Sequence, residues 1–535
     1  MLDDQVSIPF VSHTPRVQEL KRWLQDYCGA RIDFALADER KCLPPHVVLD
    51  FGNKGLFGLS VSPSDGGLGL SNREFGEVIS QLGAIDPTLC LFVGLSNVLG
   101  IRPLEQFGQG ALRDRYLQDL AAGRLLGAFA LTEPAAGSAP QAMLTTARWS
   151  DGDYVIDGTK HWIGNASWCG IIYVFARTID ESGAFVGITC FAVDRGTPGL
   201  RIGPEAKTLG MRATAQSRVV LDGVRVSPGC ILGELGGGLE VAQDTMMRGR
   251  LVIAAATIGA IKRCAVLADK YANRRQIATG LLAHNPVTKR KLADFTFRAE
   301  AVEHLVFSVL DAVDRELPVP PAILAACKIA ASELLGEAAD DLIQLLGGRG
   351  YIEPNVAPRI WRDARILRIF EGPTETLLAH LGSTADHSPV DLVAFAAAAF
   401  PGSGQVERAL SDCAELKAVM AGSSQPGSSI DRRLLMRDYS GRLLTWALLD
   451  CAQPPGSPAR KWIQRRYACA LAEISAEAAD PQPAAADLRA TIAGYRQDIG
   501  DADPLEIGED GCIDPFLSAA GAECENKKRG GRVNG

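Results

Sequence analysis

The first part of the chain has apolar residues at helical spacing. Near the start, apolar side chains recur three and four positions apart, at Val17, Leu20 and Leu24. This spacing places them on one face of a helix, and similar patterns separated by turn-rich breaks predict an N-terminal helical domain over residues 1–124. The segment 88–101 is long and apolar, which predicts a buried core helix; as an alternative, part of it lines an apolar ligand pocket.

The pattern changes to strands near residue 125. Short runs of β-branched and aromatic residues, separated by Gly and Asp turns, occur at 154–158, 171–176, 186–193 and 219–226. Short strands at this spacing predict a small β-barrel or sandwich. We place this middle β-domain at 125–235.

Helical periodicity returns at about residue 236. Long apolar-periodic segments occur at 239–272, 287–315 and 320–346, and a shorter helix leads to Glu371. Short connections between long helices predict an up-down bundle, here over 236–383. The resulting fold class is a multidomain α+β protein.

The last part of the chain differs from the bundle in composition. Ala-rich helical segments over 384–500 are separated by stretches rich in Pro, Gly and Ser, which predicts a mostly helical extension with linkers. Residues 501–535 are acidic, then basic, and rich in Gly. This composition predicts a disordered tail.

Charge and cysteine content exclude several protein classes. The net charge of -8 argues against nucleic-acid binding, which needs a basic face. The 13 Cys residues are scattered without a C-x-x-C pair, and the seven His show no metal spacing, so we expect reduced thiols and no metal site. An acidic start and the lack of an apolar run of transmembrane length lead us to expect a cytoplasmic protein.

Glu371 is the first candidate for chemistry. It follows an apolar helical stripe that includes Ile366 and Phe370, and Gly372 and Pro373 come directly after it. The helix must stop or kink there, because Gly frees the backbone and Pro lacks an N–H. In an apolar cleft, desolvation would raise the pKa of this carboxyl group and make it a general base. The alternative is a solvated glutamate at a helix end.

Two further stretches place polar groups next to small residues. In Thr132–Ser138, small residues let a ligand approach the backbone, whose N–H groups can hold an anion such as pyrophosphate. Lys160–Asn165 places an aromatic ring beside small residues. The alternative for each stretch is ordinary turn chemistry. No Walker A motif and no G-x-G-x-x-G after a strand is present, so we predict no dinucleotide-binding βαβ unit.

Taken together, these stretches resemble the acyl-CoA dehydrogenase superfamily. The matching stretches follow in one order along residues 15–383. They are Leu131-Thr132-Glu133-Pro134 with Ala136-Gly137-Ser138, Gly158-Thr159-Lys160 with Trp162-Ile163 and Asn165, Gly210-Met211-Arg212-Ala213-Thr214, Gln344 with Gly347-Gly348 and Gly350-Tyr351, Arg362-Asp363-Ala364, and Ile369-Phe370-Glu371-Gly372. The resemblance implies a helical domain, a β-domain and a four-helix bundle with FAD between them.

The resemblance also implies roles for individual residues. Cofactor-binding residues would be Phe129, Leu131, Thr132, Gly137, Ser138, Trp162, Ile163, Gly164, Arg274, His284, Asn285, Gln344, Gly347, Gly348, Thr374 and Glu375. Of these, Arg274, His284 and Asn285 would reach the FAD of a second subunit, which implies a homodimer or homotetramer. Substrate-binding residues would be Ser138, Arg250 and Gly372.

The implied reaction is the α,β-dehydrogenation of an acyl thioester of CoA or of an acyl carrier protein. Glu371 would take the α-proton while a hydride leaves the β-carbon for the flavin, and its own N–H would help to polarise the thioester carbonyl. Some relatives carry the base near the position of Gly249 instead. Glycine has no carboxyl group and cannot be the base. An electron-transfer flavoprotein is the implied electron acceptor.

Two other functions stay open. Gly164 replaces a Thr or Ser whose hydroxyl meets the flavin in most relatives, so an oxidase that passes electrons to O2 is an alternative. The extension resembles that of the very-long-chain branch, which associates with membranes, and a non-catalytic assembly protein would use it as an interface. The basic, aromatic segment 459–467 is either a membrane-surface helix or a helix packed on the bundle.

Overall fold

The computed structural model describes residues 14–402, 404–422, 429–479, 485–495 and 497. Within them the chain forms a helical domain, a β-sheet domain and a second helical domain, so the predicted fold class is confirmed. The predicted disordered tail, 501–535, lies outside the described residues, and the predicted domain boundaries stay predictions.

The first domain consists of helices with well-defined starts. Its helices are α1 (Pro15–Arg31), α2 (Phe34–Arg40), α3 (Pro45–Asn53), α4 (Asn72–Ile85), α5 (Pro87–Val98), α6 (Arg102–Phe107) and α7 (Gly110–Ala121). Ser71 and Glu74 form a capping box that starts α4, and the Asp86 carboxylate accepts the Leu89 N–H at the start of α5. Almost every side chain of α5 is buried, which confirms the predicted core helix over 88–101.

The described middle of the chain forms an eight-stranded mixed sheet. Its strands are β1 (Gly127–Ala130), β2 (Thr146–Ser150), β3 (Asp153–Gly164), β4 (Ile171–Ile179), β5 (Phe185–Asp194), β6 (Leu200–Glu205), β7 (Gln216–Val226) and β8 (Ile231–Leu232). Their order is β6-β7-β3-β2-β4-β5-β8, and β1 pairs in parallel with β4.

Strand β4 is apolar on both faces because each face packs against a different core. Ile171, Tyr173 and Phe175 point to helices α6 and α7 of the first domain. The alternate residues Ile172 and Val174 point to a core that strands β1 to β7 share, so the sheet curls around it. The sheet is therefore anchored to the helical domain through β4.

The second helical domain is a bundle that incorporates helix α4. Its elements are α8 (Gly238–Ala272), the hairpin β9 (Gln276–Ile277) and β10 (Gly280–Leu281), α9 (Pro286–Asp314), α10 (Pro321–Leu346), α11 (Gly348–Tyr351), α12 (Val356–Ile366) and α13 (Thr374–His387). A Cβ at Gly83 would lie 2.0 Å from the Ala256 carbonyl oxygen, and one at Gly259 would lie 1.8 Å from that of Ser80. Only glycine fits such a close approach of α4 and α8.

The extension packs on the bundle. Its helices are α14 (Pro389–Ala399), α15 (Gly404–Gly422), α16 (Ser429–Ala452), α17 (Pro458–Ala479) and α18 (Ala485–Gly494). Trp462 of α17 is buried and donates its indole N–H to Asp294 of α9 at 3.0 Å, while Arg466 pairs with Glu337 of α10. Of the two alternatives for segment 459–467, the structure shows the helix packed on the bundle.

Two helical stretches are long and apolar enough to cross a membrane by length and composition, Pro87–Phe107 and Gly238–Ala272. The expectation that no apolar run reaches this length was therefore wrong. In the described fold, 78% and 72% of the most apolar 18-residue segment of each stretch is buried. Both stretches pack in the core that the two helical domains share.

Candidate active site

Glu371 lies on a strained turn between two helices. Helix α12 ends at Ile366 and α13 begins at Thr374, so the chain breaks where Gly372 and Pro373 predicted it. Glu371 has φ 54° and Gly372 has φ 99°, and the Thr374 N–H closes the turn onto the Arg368 carbonyl at 3.1 Å. A left-handed conformation is unusual for a glutamate, and such strain is typical of functional sites.

The Glu371 carboxylate faces a helix that has no side chain at the point of contact. A Cβ on Gly249 of α8 would lie 3.2 Å from Glu371 Oε2. The residue as a whole is half-buried, but Oε2 is fully buried and has no hydrogen-bond partner among the described residues. Burial therefore raises the pKa of Glu371 to about 7, although the charges of Arg250 and Lys328 act in the opposite direction. A carboxyl group with this pKa suits general base catalysis.

Two cations hold the backbone of this turn. Arg250 Nε donates to the Glu371 carbonyl at 3.2 Å, and Lys328 Nζ donates to the Gly372 carbonyl at 2.6 Å. Arg250 was predicted as a substrate-binding residue, and the structure places it against the base. Sequence reasoning missed Lys328. The signal that was available is the one basic residue of α10, which lies in the otherwise apolar run 322–331, because a buried lysine is costly.

The main chain of Glu371 also offers a free donor. Its N–H has no hydrogen-bond partner within the described part of the chain. A free N–H beside a candidate base is a suitable donor for a substrate carbonyl oxygen.

The loop after β1 is fastened by a buried ion pair. Lys160 Nζ lies 2.8 Å from Glu133 Oε1 and donates to the Leu131 carbonyl at 3.2 Å. Burial alone would raise the pKa of Glu133, but Lys160 and the N–H groups of Leu144 and Thr145 hold it below its usual value. These two motif residues therefore fix the loop that carries Leu131 and Thr132, and the His161 N–H also binds the Thr132 carbonyl at 2.9 Å.

A β-bulge turns Trp162 out of the sheet. The pairing of β3 with β7 shifts register between Lys160 and Ile163, and Trp162 has φ 54°. Trp162 is 54% exposed, whereas Ile163 is buried in the β-domain core. Gly164 pairs with Gln216, and a Cβ on Gly164 would lie 3.6 Å from Gln216 Oε1.

The other predicted residues of this region are Phe129 on β1 and the loop residues Gly137 and Ser138. Phe129 is half-buried and packs on Phe175, with 4.8 Å between ring centroids. Gly137 and Ser138 are exposed, and a Cβ on Gly137 would contact nothing within 4 Å among the described residues. This part of the loop thus offers open backbone.

The Arg362-Asp363 pair joins the three domains. Asp363 is buried on α12, and it accepts the Met211 N–H of the β-domain at 2.6 Å and the Thr88 hydroxyl of α5 at 3.0 Å. Burial raises the pKa of Asp363 to about 7. Arg362 binds both carboxylate oxygens of Asp38 in the first domain. This motif therefore fixes the turn at Glu371 relative to the sheet and α5.

The remaining predicted residues lie at the opposite end of the bundle. Helix α8 continues from Gly249 to Ala272, a length of roughly 35 Å at 1.5 Å per residue, and Arg274 follows its end. Gln344 is near the end of α10, which runs in the same direction as α8 because the connections are short. Arg274, His284, Gln344, Gly347 and Gly348 are all exposed, and Asn285 caps α9.

Two predicted residues follow the base directly. The Thr374 hydroxyl donates to Glu333 Oε1 of α10 at 2.7 Å, and Glu333 also pairs with Arg368 at 3.1 Å. Glu375 is exposed in the first turn of α13. The structure therefore brings Glu371, Arg250 and Gly372 together, and it separates them from Arg274 and Gln344 on the same chain.

Comparisons with known proteins agree with this architecture. Residues 14–124, 128–224 and 236–385 match the N-terminal, middle and C-terminal domain models of acyl-CoA dehydrogenase. A Bacillus subtilis protein named acyl-CoA dehydrogenase is 32% identical over 358 residues, which cover 66% of this chain and 94% of that protein. The mitochondrial very-long-chain specific acyl-CoA dehydrogenase of Macaca fascicularis is 34% identical over 333 residues, or 60% of this chain. The match spans only 50% of that relative's length.

A solved structure extends the likeness to the fold. The glutaryl-CoA dehydrogenase from Mycobacterium smegmatis, in complex with FADH2, superposes with a TM-score of 0.65 at 26% sequence identity. The superposition covers 69% of this chain and 94% of the other.

Proposed function

Because the chain belongs to the acyl-CoA dehydrogenase family, we propose that it catalyses the FAD-dependent α,β-dehydrogenation of a saturated acyl thioester to the 2,3-enoyl thioester. One observation carries this proposal. Glu371 Oε2 is buried against Gly249 with no hydrogen-bond partner among the described residues, and burial raises the pKa of Glu371 to about 7. A base of this kind can remove a weakly acidic carbon-bound proton near neutral pH.

The residues that would hold FAD fit such a group. The exposed Trp162 ring and half-buried Phe129 provide aromatic surfaces for a flavin, and the open backbone at Gly137 has room for a phosphate or a pantetheine arm. The related glutaryl-CoA dehydrogenase structure, which contains FADH2, supports the same cofactor here. FAD, when bound, supplies a hydride acceptor for the substrate β-carbon.

Glu371 carries the proton step. Its carboxylate removes the α-proton, and its own N–H donates to the thioester carbonyl, which makes that proton more acidic. Arg250 and Lys328 keep the turn in place while the carboxylate changes charge. Gly249 has no side chain, so it leaves the space that the Glu371 carboxylate occupies. With Glu371 as the base, the reaction needs no second acid at position 249.

The far end of the bundle supports an oligomer. Arg274 and Gln344 are too distant from Glu371 to act on the same end of one cofactor within a single chain. In a homodimer or homotetramer, a second copy can bring its Arg274, His284 and Asn285 to the cofactor. Gln344, Gly347 and Gly348 would hold the adenylate end. The carrier is CoA or an acyl carrier protein, and an electron-transfer flavoprotein is the proposed acceptor.

The replacement Glu371→Gln tests this function. We expect purified wild-type protein to carry FAD, and its flavin absorbance to bleach when acyl-CoAs or acyl carrier proteins are added without oxygen. The variant should keep FAD but reduce it about 10²–10⁴-fold more slowly, the range for loss of a general base. No bleaching by any thioester in the wild type, or normal turnover in the variant, would contradict the proposal.

A second candidate is an acyl-thioester oxidase. It rests on Gly164, which offers no hydroxyl beside the proposed flavin site, where Gln216 is the nearest side chain. Hydrogen peroxide formed in equal amount with the enoyl product would support this candidate. Strict dependence on an electron-transfer flavoprotein would exclude it.

A further inference from the structure

Lys328 is a fully buried cation at the back of the Glu371 turn. It lies in α10, its exposure is 0%, and its one hydrogen bond among the described residues is to the Gly372 carbonyl at 2.6 Å. An ammonium group has three donors, and burying it with one partner is expensive. An apolar residue of similar size would fill the space at lower cost, so packing alone does not explain a lysine here.

We propose that Lys328 is a positioning residue for Glu371. Its ammonium group holds the Gly372 carbonyl, which keeps the Glu371–Gly372 turn in its left-handed conformation and directs the carboxylate towards Gly249. Its charge also favours the ionised form of the base. This inference rests on the proposed function, because it assigns Lys328 a part in the proton step of that reaction.

The geometry of the turn supports the first half of this role. Two consecutive residues, Glu371 and Gly372, have positive φ, and the strain must be balanced by contacts around them. The side chains that bind the carbonyls of these two residues, within the described part of the chain, are Arg250 on Glu371 and Lys328 on Gly372. They reach the turn from different helices, α8 and α10, so neither replaces the other.

The charges around the base support the second half. Arg250 of α8 and Lys328 of α10 are the cations that act on Glu371, and Glu333 of α10 and Glu375 of α13 act on Lys328. His380 of α13 lies near Arg250. Burial lowers the pKa of Lys328 to about 8, while Glu371 opposes that shift, so Lys328 is charged at neutral pH. Removing its charge should therefore make Glu371 harder to ionise.

Two substitutions separate the two effects. Lys328→Met removes both the donor and the charge, whereas Lys328→Gln keeps a donor without the charge. The rate constant for anaerobic flavin reduction by an acyl thioester would be measured in the full-length protein with FAD, between about pH 6 and 9. Lys262→Met is the matched control, because Lys262 lies on α8 with a half-exposed side chain that pairs with Glu303.

We expect Lys328→Met to lower the rate constant at pH 7 by at least about tenfold, with little change in KM. Both Lys328 variants should shift the rise of the pH–rate profile to higher pH, and Lys328→Gln should lose less rate than Lys328→Met. Lys262→Met should match the wild type in rate and profile.

Other results would overturn the inference. If either folded, FAD-loaded Lys328 variant keeps the wild-type rate and pH profile, or changes KM alone, Lys328 has no positioning role. If Lys328→Met does not fold, the pH profile of Lys328→Gln decides. A wild type that reduces its flavin, together with an inactive Glu371→Gln, leaves the proposed function intact in that case. A wild type that never reduces its flavin removes both.

Discussion

The two ends of the bundle differ in how complete they are within one chain. At the Glu371 end, the turn is strained and buried, and side chains from α8 and α10 hold it. At the other end, Arg274, His284, Gln344 and Gly347 are exposed, and a Cβ on Gly347 would contact no described residue within 4 Å. The comparison teaches that the contacts holding the Glu371 turn are complete within a single chain, whereas the far end is an open surface that, under the proposed function, would need another molecule to become a site.

The largest effect we expect is on the free energy of unfolding, and it distinguishes the buried Glu371 from exposed glutamates. The folded protein keeps a proton on Glu371 up to about pH 7, while the unfolded chain loses it near 4.5. The unfolded state therefore binds fewer protons between these values, and stability falls as pH rises through that window. Glu371→Gln removes this cost, so the variant should exceed the wild type by about 3 kcal/mol in unfolding free energy at pH 8.

Denaturant unfolding at several pH values measures this difference. The extra stability of Glu371→Gln should shrink below pH 7 and vanish near pH 4, where the Glu371 carboxyl group is protonated in both the folded and the unfolded wild type. Glu39→Gln, at an exposed position on α2, is the matched control and should show no such trend. An advantage that does not depend on pH would mean that Glu371 is not buried as an acid in solution.

The next effect concerns the exposed end. Arg274→Ala should weaken FAD binding about tenfold or more, since a hydrogen bond to a charged group is lost, and leave the pH–rate profile of the base unchanged at saturating FAD. Fluorescence titration of the apoprotein with FAD gives the affinity. Arg275→Ala changes the adjacent exposed arginine and serves as the control.

Mixed oligomers show whether this end serves a second subunit. Arg274→Ala subunits and Glu371→Gln subunits, each impaired alone, should regain activity when they are exchanged into one oligomer, because one of the two shared sites is then intact. No recovery after proven subunit exchange would place both residues in the site of the same chain.

Features that depend on local sequence could be predicted, whereas contacts between residues distant in the sequence could not. Helix periodicity and the Gly372-Pro373 break located the bundle and the turn at Glu371, because both depend on local sequence. The contact between Lys328 and the Gly372 carbonyl joins residues 44 positions apart, and no local pattern indicates it. The cross-strand pair of Gly164 and Gln216 was missed for the same reason, since register is set by pairing between strands.

Some predictions depended on composition and were less specific. The basic, aromatic segment of α17 has the composition of a membrane-surface helix. However, Trp462 packs on the bundle, and Tyr467 donates to Asp412 of α15. Arg466 stacks over Trp446 and Trp462. The same side chains serve either environment, because both bury the rings and leave the charges near water. Only the tertiary contacts distinguish the two.

The smallest effect we expect tests the cofactor side of the Glu371 end. A Cβ on Gly164 would lie 3.6 and 3.7 Å from the amide atoms of Gln216, which is ordinary contact distance, so the strand has room for a Cβ at this position. Gly164→Thr adds a hydroxyl beside the proposed flavin, while Gly164→Ala adds only a methyl group. If the missing hydroxyl exposes the reduced flavin to oxygen, Gly164→Thr should slow its reoxidation by O2 a few-fold, a change of about 1 kcal/mol or less in the barrier. Stopped-flow reoxidation measures this rate. Equal reoxidation rates in the two variants would show that the missing hydroxyl at Gly164 does not set the electron acceptor. Reactivity with oxygen would then depend on other residues around the flavin.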